Sequence, residues 1–403
     1  MQPPHTGGCF FRIGPMDDQL PPRIRALQEL AREVVEAHVA PRASEVDAQA
    51  MWPAHSMKAF AEAGLMGLQV PVELGGHGQG LVALSVITET IARACPSSAL
   101  CFGMHCVGTA VIAAKASPHH EERYLRPIAE GRHITTLSLS ESGSGTHFYL
   151  PRTRLTQIED GFIIDGEKQF TTNGGHADSY VLSVAPAGGE LAQAGDFSCV
   201  VLDAGTDGVE WLQPWAGLGM RGNSSRGLRL TRARVPAANL LGEQGDQLWY
   251  VFEVVAPYFL MAMAGTYLGV AQSALEATGL HLRSRRYAHS GDALADADVL
   301  QHRYASMWMA VERTRGLVRE AAARGDAGHA DALPWILACK ADAGDAAVQV
   351  TNDAMTLCGG VAYRENSRIA QMLRDARASH VMAPTTEVLK LWLGRSLLGV
   401  PLL

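Results

Sequence analysis

Gly161-Phe-Ile-Ile-Asp-Gly-Glu-Lys-Gln-Phe-Thr-Thr-Asn-Gly174 is the stretch on which the fold class turns. Its opening, Phe162-Ile-Ile164, is apolar and β-prone, and Asp, Asn and Gly punctuate the remainder, as expected of strands between turns. Working outward, residues 180–184, 197–202 and 228–231 repeat the pattern of short β-prone runs set apart by Gly, Asp and Asn. Upstream of about residue 134 the character is helical. Ile24, Leu27, Ala31, Val34 and Val35 fall at helical spacing, and residues 81–93 and 106–114 are apolar without strand alternation. A loop carrying Pro71, Gly75, Gly76, Gly78 and Gly80 separates the two helical groups. Beyond about residue 245 strand signals vanish, and Ala- and Leu-rich helical segments return through Arg324, residues 340–355 and residues 382–398. The order predicts an α+β chain: an N-terminal helical domain (1–133), a middle β domain (134–244) and a C-terminal helical bundle (245–403).

A length of 403 residues is enough for two or three domains with a large core. With 47% hydrophobic and 19% charged residues the composition is that of a globular protein. A net charge of -7 and the absence of any Lys/Arg run argue against nucleic acid as a partner. Residues 1–14 hold one Arg and no long apolar run, so they read as a disordered lead-in rather than a secretory signal. The seven cysteines are scattered, odd in number and without a Cys-x-x-Cys pair, which argues against a disulfide framework or a zinc site and for a reducing cytoplasm. Residues 254–275 carry no charge and could span a bilayer by length. Pro257, Thr266, Tyr267, Gln272 and Ser273 interrupt them, no basic flanks set an orientation, and Gly265 and Gly269 suit close packing. A buried central helix is expected there, with no membrane insertion.

Seven local motifs stand in a fixed order. Leu68-Gln-Val-Pro-Val-Glu-Leu-Gly-Gly-His-Gly78 is followed by Leu139-Ser-Glu-Ser-Gly-Ser-Gly-Thr-His147 and by Gly166-Glu-Lys-Gln-Phe-Thr-Thr-Asn-Gly174. Then come Gly219-Met-Arg-Gly-Asn-Ser-Ser225, Arg234-Val-Pro-Ala-Ala-Asn-Leu-Leu-Gly242, Cys358-Gly-Gly-Val-Ala-Tyr363 and Arg374-Asp-Ala-Arg377. Together they resemble the acyl-CoA dehydrogenase superfamily over nearly the whole chain, matching its "VPEEYGGxG", "TEPxxGSD", "GxKxWITNG", "RGS", "VPxxNLLG", "GGxGY" and "RDAR" elements. The resemblance implies three domains ending in a four-helix bundle, an FAD cofactor, an acyl thioester substrate, and a homo-oligomer of two or four chains.

It also implies a cofactor-binding set. Leu139 and Ser140 stand at the flavin pyrimidine edge, Thr146 faces the pyrophosphate and Thr172 lies beside N5, with Phe170 as the aromatic cover. Arg285 matches an arginine that reaches the FAD of a neighbouring subunit, followed by Gln301. Gly359 and Gly360 let the backbone approach the adenine half, and Thr385 completes the set. Taken alone, Ser, Thr, Gly and Asn at these positions are ordinary turn chemistry, and arginines after a helix suit its dipole.

The catalytic position departs from the pattern. Removing an α-proton as hydride leaves the β-carbon calls for a placed base, usually a carboxylate. Ala383-Pro-Thr-Thr-Glu-Val388 aligns with the family's "EGTSEI" and puts Ala383 at the base. Glu387 lies one turn away, about 5 to 6 Å along a helix. A subset of the family carries its base on the central helix, where this chain has Phe259, and Leu260 stands in place of a thioester-holding arginine. Glu253 reads as a solvated first-turn acid. The catalytic residue is thus unknown, and three readings stay open. They are flavin redox chemistry on an acyl-CoA or acyl-carrier thioester, with a partner flavoprotein or oxygen as electron acceptor; a flavin monooxygenase; and a non-catalytic flavoprotein.

Overall fold

The computed structural model describes residues 20–145, 147–187 and 196–402. Thr146 and the 1–14 lead-in lie outside the described residues. Seven helices come first: α1 (Pro22–Val34), α2 (Ala43–Ala48), α3 (Ala54–Glu62), α4 (Leu81–Ala92), α5 (Pro96–Ala114), α6 (Pro118–His120) and α7 (Arg126–Ala129). The strands are β1 (Thr135–Ser138), β2 (Arg154–Ile158), β3 (Gly161–Thr171), β4 (Ser179–Pro186), β5 (Ser198–Asp203), β6 (Val209–Trp211), β7 (Arg226–Pro236) and β8 (Leu240–Leu241). Helices resume with α8 (Gln247–Trp249), α9 (Ala256–Ser284), α10 (Asp298–Asp326), α11 (Ala332–Cys358), α12 (Arg368–Val381) and α13 (Thr386–Leu398). The fold is the predicted α+β arrangement, with a sheet between two helical blocks.

Central helices decide the packing. α5 and the Leu260–Leu275 part of α9 are buried almost all round, as a helix apolar on every face must be. Both are long and apolar enough to cross a membrane, and most of each is buried inside the protein. Gly265 and Gly269 let α9 press against α4, where a Cβ would strike backbone of Ser85 and the Glu89 carbonyl. Glu89, buried there, is neutralised by Arg315 and Arg319 of α10, and Arg315 also donates to Gln272 of α9 at 2.8 Å. One ionic cluster thereby ties three helices together.

The sheet runs β6-β7-β3-β2-β4-β5-β8, with β1 added in parallel to β4. β7 alternates, sending Leu228, Leu230, Ala233 and Val235 inward. The alternation slips by one where Arg232, at φ 51°, faces a register shift between Ile164 and Gly166 of β3. Leu155, Phe162, Tyr180 and Leu202 join these residues in a core separate from the main helical one. β1 instead leans on α5 and lies beside β3, so this edge of the sheet meets the helical block.

Candidate functional site

A cavity of about 870 Å3 lies where the two blocks meet the sheet. Ser140, Ser142, Gly143 and Gly145 form one rim, Phe170 and Thr172 at the end of β3 and just past it a second, and Trp215, Met220 and Ser225 a third. Opposite stand Val255 just before α9, Phe259 and Leu260 of α9, Leu337 of α11, residues 381–385, and Trp392 of α13. The cavity thus has one side of hydroxyls and glycines and one side of hydrocarbon.

The polar rims are rigidly joined. Gln169 N–H donates to the Ser140 carbonyl at 2.8 Å, Ser138 and Thr171 hydroxyls meet at 2.6 Å, and the Thr136 hydroxyl donates to the Thr172 carbonyl at 3.0 Å. The Thr172 and Ser225 hydroxyls lie 3.0 Å apart. Phe170, Asn173, Met220 and Ser224 all take positive φ (56°, 60°, 49° and 48°), and all stand on or next to these rims. Non-glycine residues held in the left-handed region cost energy and persist where surrounding contacts over-determine them. Those contacts are visible: Trp52 donates to Asn173 Oδ1 at 2.9 Å while its ring stacks on His176 at 4.4 Å. The Met220 N–H donates to Asp375 at 2.6 Å, and its carbonyl accepts from Trp215 at 2.9 Å. Burial raises the Asp375 carboxyl to about 6.

Glu141 lines the cavity, yet its carboxylate is engaged elsewhere. Lys168 donates to it at 2.6 Å, Thr153 gives it an N–H and a hydroxyl at 3.1 and 2.8 Å, and the Arg152 N–H adds a bond at 2.7 Å. Burial opposes ionisation, but Lys168 and these bonds hold the carboxyl below its ordinary range. Among the described lining residues no other side chain is ionisable. Ala383 and Phe259, the two positions where the resemblance implies a base, share this cavity and neither carries one. Glu253 is exposed and off the lining, on a wide-turned helical stretch (Tyr250–Val255) leading into α9.

Leu139, Ser140, Phe170, Thr172 and Thr385 of the expected binding set meet at the cavity. Arg285, Gln301, Gly359 and Gly360 do not: all four are exposed and none lines it. Ser225, Trp215 and the Trp52–His176 stack were missed in the sequence. Ser225 closes the 219–225 motif, where a serine is ordinary turn chemistry, and Trp52 is joined to Asn173 across 121 positions, which no local pattern can signal. FAD fits the residues present. The loop at Gly145 turns at φ 53° with nothing within 4 Å of a would-be Cβ, so open space lies beside backbone that a large ligand can approach. Phe170, 65% exposed, meets Trp215 edge-on at 6.3 Å and leaves an aromatic face free. A larger cleft, about 1500 Å3, opens beside α12. Two of its arginines are paired with acids of its own wall, Arg93 with Glu276 and Arg374 with Asp47, and it has no comparable hydroxyl and glycine rims.

Comparison with known proteins agrees with this geometry. Models of the acyl-CoA dehydrogenase N-terminal, middle and C-terminal domains match residues 21–132, 136–233 and 258–398. The cyclohex-1-ene-1-carbonyl-CoA dehydrogenase of Geobacter metallireducens is 31% identical over 92% of this chain and 96% of its own length. The cyclohexane-1-carbonyl-CoA dehydrogenase of the same organism is 30% identical over 93% and 97%. The structure of butyryl-CoA dehydrogenase from Megasphaera elsdenii superposes with a TM-score of 0.89, at 24% identity over 94% of this chain and 99% of that one.

Proposed function

This chain belongs to the acyl-CoA dehydrogenase family, and from that premise we propose that it oxidises a ring-bearing acyl thioester at its α,β bond, using FAD. The observation that carries the reading is the two-sided cavity, which sets the Ser140 and Thr172 hydroxyls against a hydrocarbon chamber walled by Phe259, Leu260, Leu337 and Trp392. FAD, when bound, supplies the hydride acceptor. The chain's own residues bind and orient. Ser140 and Thr172 offer hydroxyls to the flavin ring, Phe170 and Trp215 cover it, and the chamber keeps water from the reacting carbons. With Glu141 engaged, no described wall side chain is free to take the α-proton, and no catalytic base is assigned. The names of the two Geobacter relatives favour an alicyclic acyl group, and Leu260 leaves room for a carrier-protein thioester as well as a CoA one.

The electron acceptor would be a partner flavoprotein or oxygen. The assembly is a homo-oligomer, the tetramer being the form the resemblance favours, and the compartment is the cytoplasm. Six free, buried cysteines among the described residues accord with a reducing setting. Anaerobic mixing of FAD-loaded protein with cyclohexane-1-carbonyl-CoA and its cyclohexene analogue should bleach the flavin band near ~450 nm. Inertness toward both, with NAD(P)H-dependent oxygen uptake instead, would replace this reading with the monooxygenase one.

A further inference from the structure

Six of the cavity residues, Ala378, Val381, Met382, Ala383, Pro384 and Thr385, lie within eight positions at the end of α12 and the turn into α13. A helix leaves its last carbonyls without intrahelical donors, and the turn after it adds more. Here they face inward. Lys340, on the middle of α11 and fully buried, donates from Nζ to the carbonyls of Ser379 at 2.8 Å, Pro384 at 2.9 Å and Met382 at 3.5 Å. No carboxylate pairs with it directly: Asp345, whose charge is felt here, gives its oxygens to His380 at 3.2 Å and Lys390 at 3.0 Å. Burying an amine without a directly paired carboxylate is costly, and burial, opposed in part by the charge of Asp345, lowers its pKa to about 7. Such a group survives only where the chain it binds needs it.

We infer that Lys340 is a positioning residue for the thioester reaction: from behind the wall, its nitrogen gathers three carbonyls and so fixes where Ala383, Pro384 and Thr385 stand on the substrate chamber. Lys340 lies outside the cavity lining, so it touches neither substrate nor flavin. It acts through the strand of chain it holds. The inference rests on the proposed dehydrogenation for its kinetic arm and on the structure alone for its exchange arm.

Lys340→Met keeps the length and removes the donors. With FAD loaded, amide exchange at residues 382 to 388 should quicken about tenfold or more while the core of α9 is unchanged. The limiting rate of flavin bleaching by cyclohexane-1-carbonyl-CoA, per bound FAD, should fall roughly 10- to 100-fold, the cost of misplacing a wall by about 1 Å, with a smaller change in thioester affinity. In Lys340→Ala, n-propylamine should restore the rate and 1-propanol should not. A merely packing role predicts rescue by both. If Lys340→Met fails to hold FAD, Lys340→Gln, which retains two N–H donors on a shorter arm, should hold it and show the same local exchange. Unchanged exchange in whichever variant is loaded, an unchanged rate per bound FAD, or equal rescue by propanol overturns the inference. A native protein that no thioester bleaches removes the dehydrogenase reading and leaves the exchange result to decide Lys340.

Discussion

At the scale of single residues, Ala383 is the departure with the largest chemical consequence. It lines the chamber together with Phe259, so both places where a base is expected open onto one volume and both are apolar. A positioned general base contributes typically ~10²–10⁴-fold. Ala383→Glu, combined with Pro384→Gly to free the backbone that proline restrains, should therefore raise thioester-dependent bleaching within that range. No gain in a folded, FAD-loaded variant would show that the native proton route does not pass through this wall. The hydroxyl side is testable as simply: Thr172→Val removes the partner of Ser225 and a donor to the ligand, and should weaken FAD retention about fivefold in a dialysis assay, one charge-free hydrogen bond being worth about 1 kcal/mol. These residues were legible because hydroxyls and glycines recur at fixed offsets within short motifs. Ser225 and Trp52 were not, since what gives them a role is a partner brought close by folding.

At the scale of elements, the buried Glu141–Lys168 pair joins the glycine rim to β3 and, through Ser183, to β4. Removing one member of a buried pair leaves the other charge uncompensated, at a cost of about 3–5 kcal/mol. Glu141→Gln should lower stability by that order in urea unfolding and loosen FAD with it; a loss below about 1 kcal/mol would mean the pair is not the clamp described. His105 gives the pH dependence. On α5 its Nδ1 accepts from the Thr135 N–H at 3.2 Å and its Nε2 donates to the Met66 carbonyl at 3.0 Å, so both nitrogens are committed to the neutral form. Burial lowers its pKa to about 4. Above 6.5 folded and unfolded chains are both neutral here and the contribution is whole. As pH falls from 6.5 toward 4 only the unfolded chain binds the proton, and stability is lost by about 3 kcal/mol. His105→Gln, less stable at neutral pH, should flatten the acid limb by about that amount. The helix and strand order was legible because α4 and α5 carry apolar stretches without strand alternation, and β3, β4, β5 and β7 carry short β-prone runs between turn residues. β6 and β8 are three and two residues long, and only pairing with β7 and β5 makes them strands.

At the scale of the whole molecule, the residues that sequence reasoning gathered into one binding set divide into two. Five meet at the cavity, whereas Arg285, Gln301, Gly359 and Gly360 are exposed around the far ends of α9, α10 and α11. The chain carries no rearrangement that would unite them, because α9 and α11 are fixed along their length in the main core. If the second group binds FAD, it binds the FAD of another copy. The surface there accords with a partner: Val299 and Met309 of α10 are 66% and 62% exposed, and Tyr363, just past the glycine pair, is 82% exposed. Exposed large apolar side chains are available to an association surface, and closed two-fold assemblies are the commonest outcome. For Arg285 the resemblance already implied service to a neighbour; for Gln301, Gly359 and Gly360 the motifs carry no record of which copy supplies them. Light scattering should give a mass of two or four chains. Arg285→Glu, which alters no residue of the cavity, should reduce FAD retention in the assembled protein about tenfold or more, reversing one charge-assisted contact to phosphate. A native monomer that keeps FAD at full occupancy, or an Arg285→Glu oligomer that loses none, would return the whole site to a single chain.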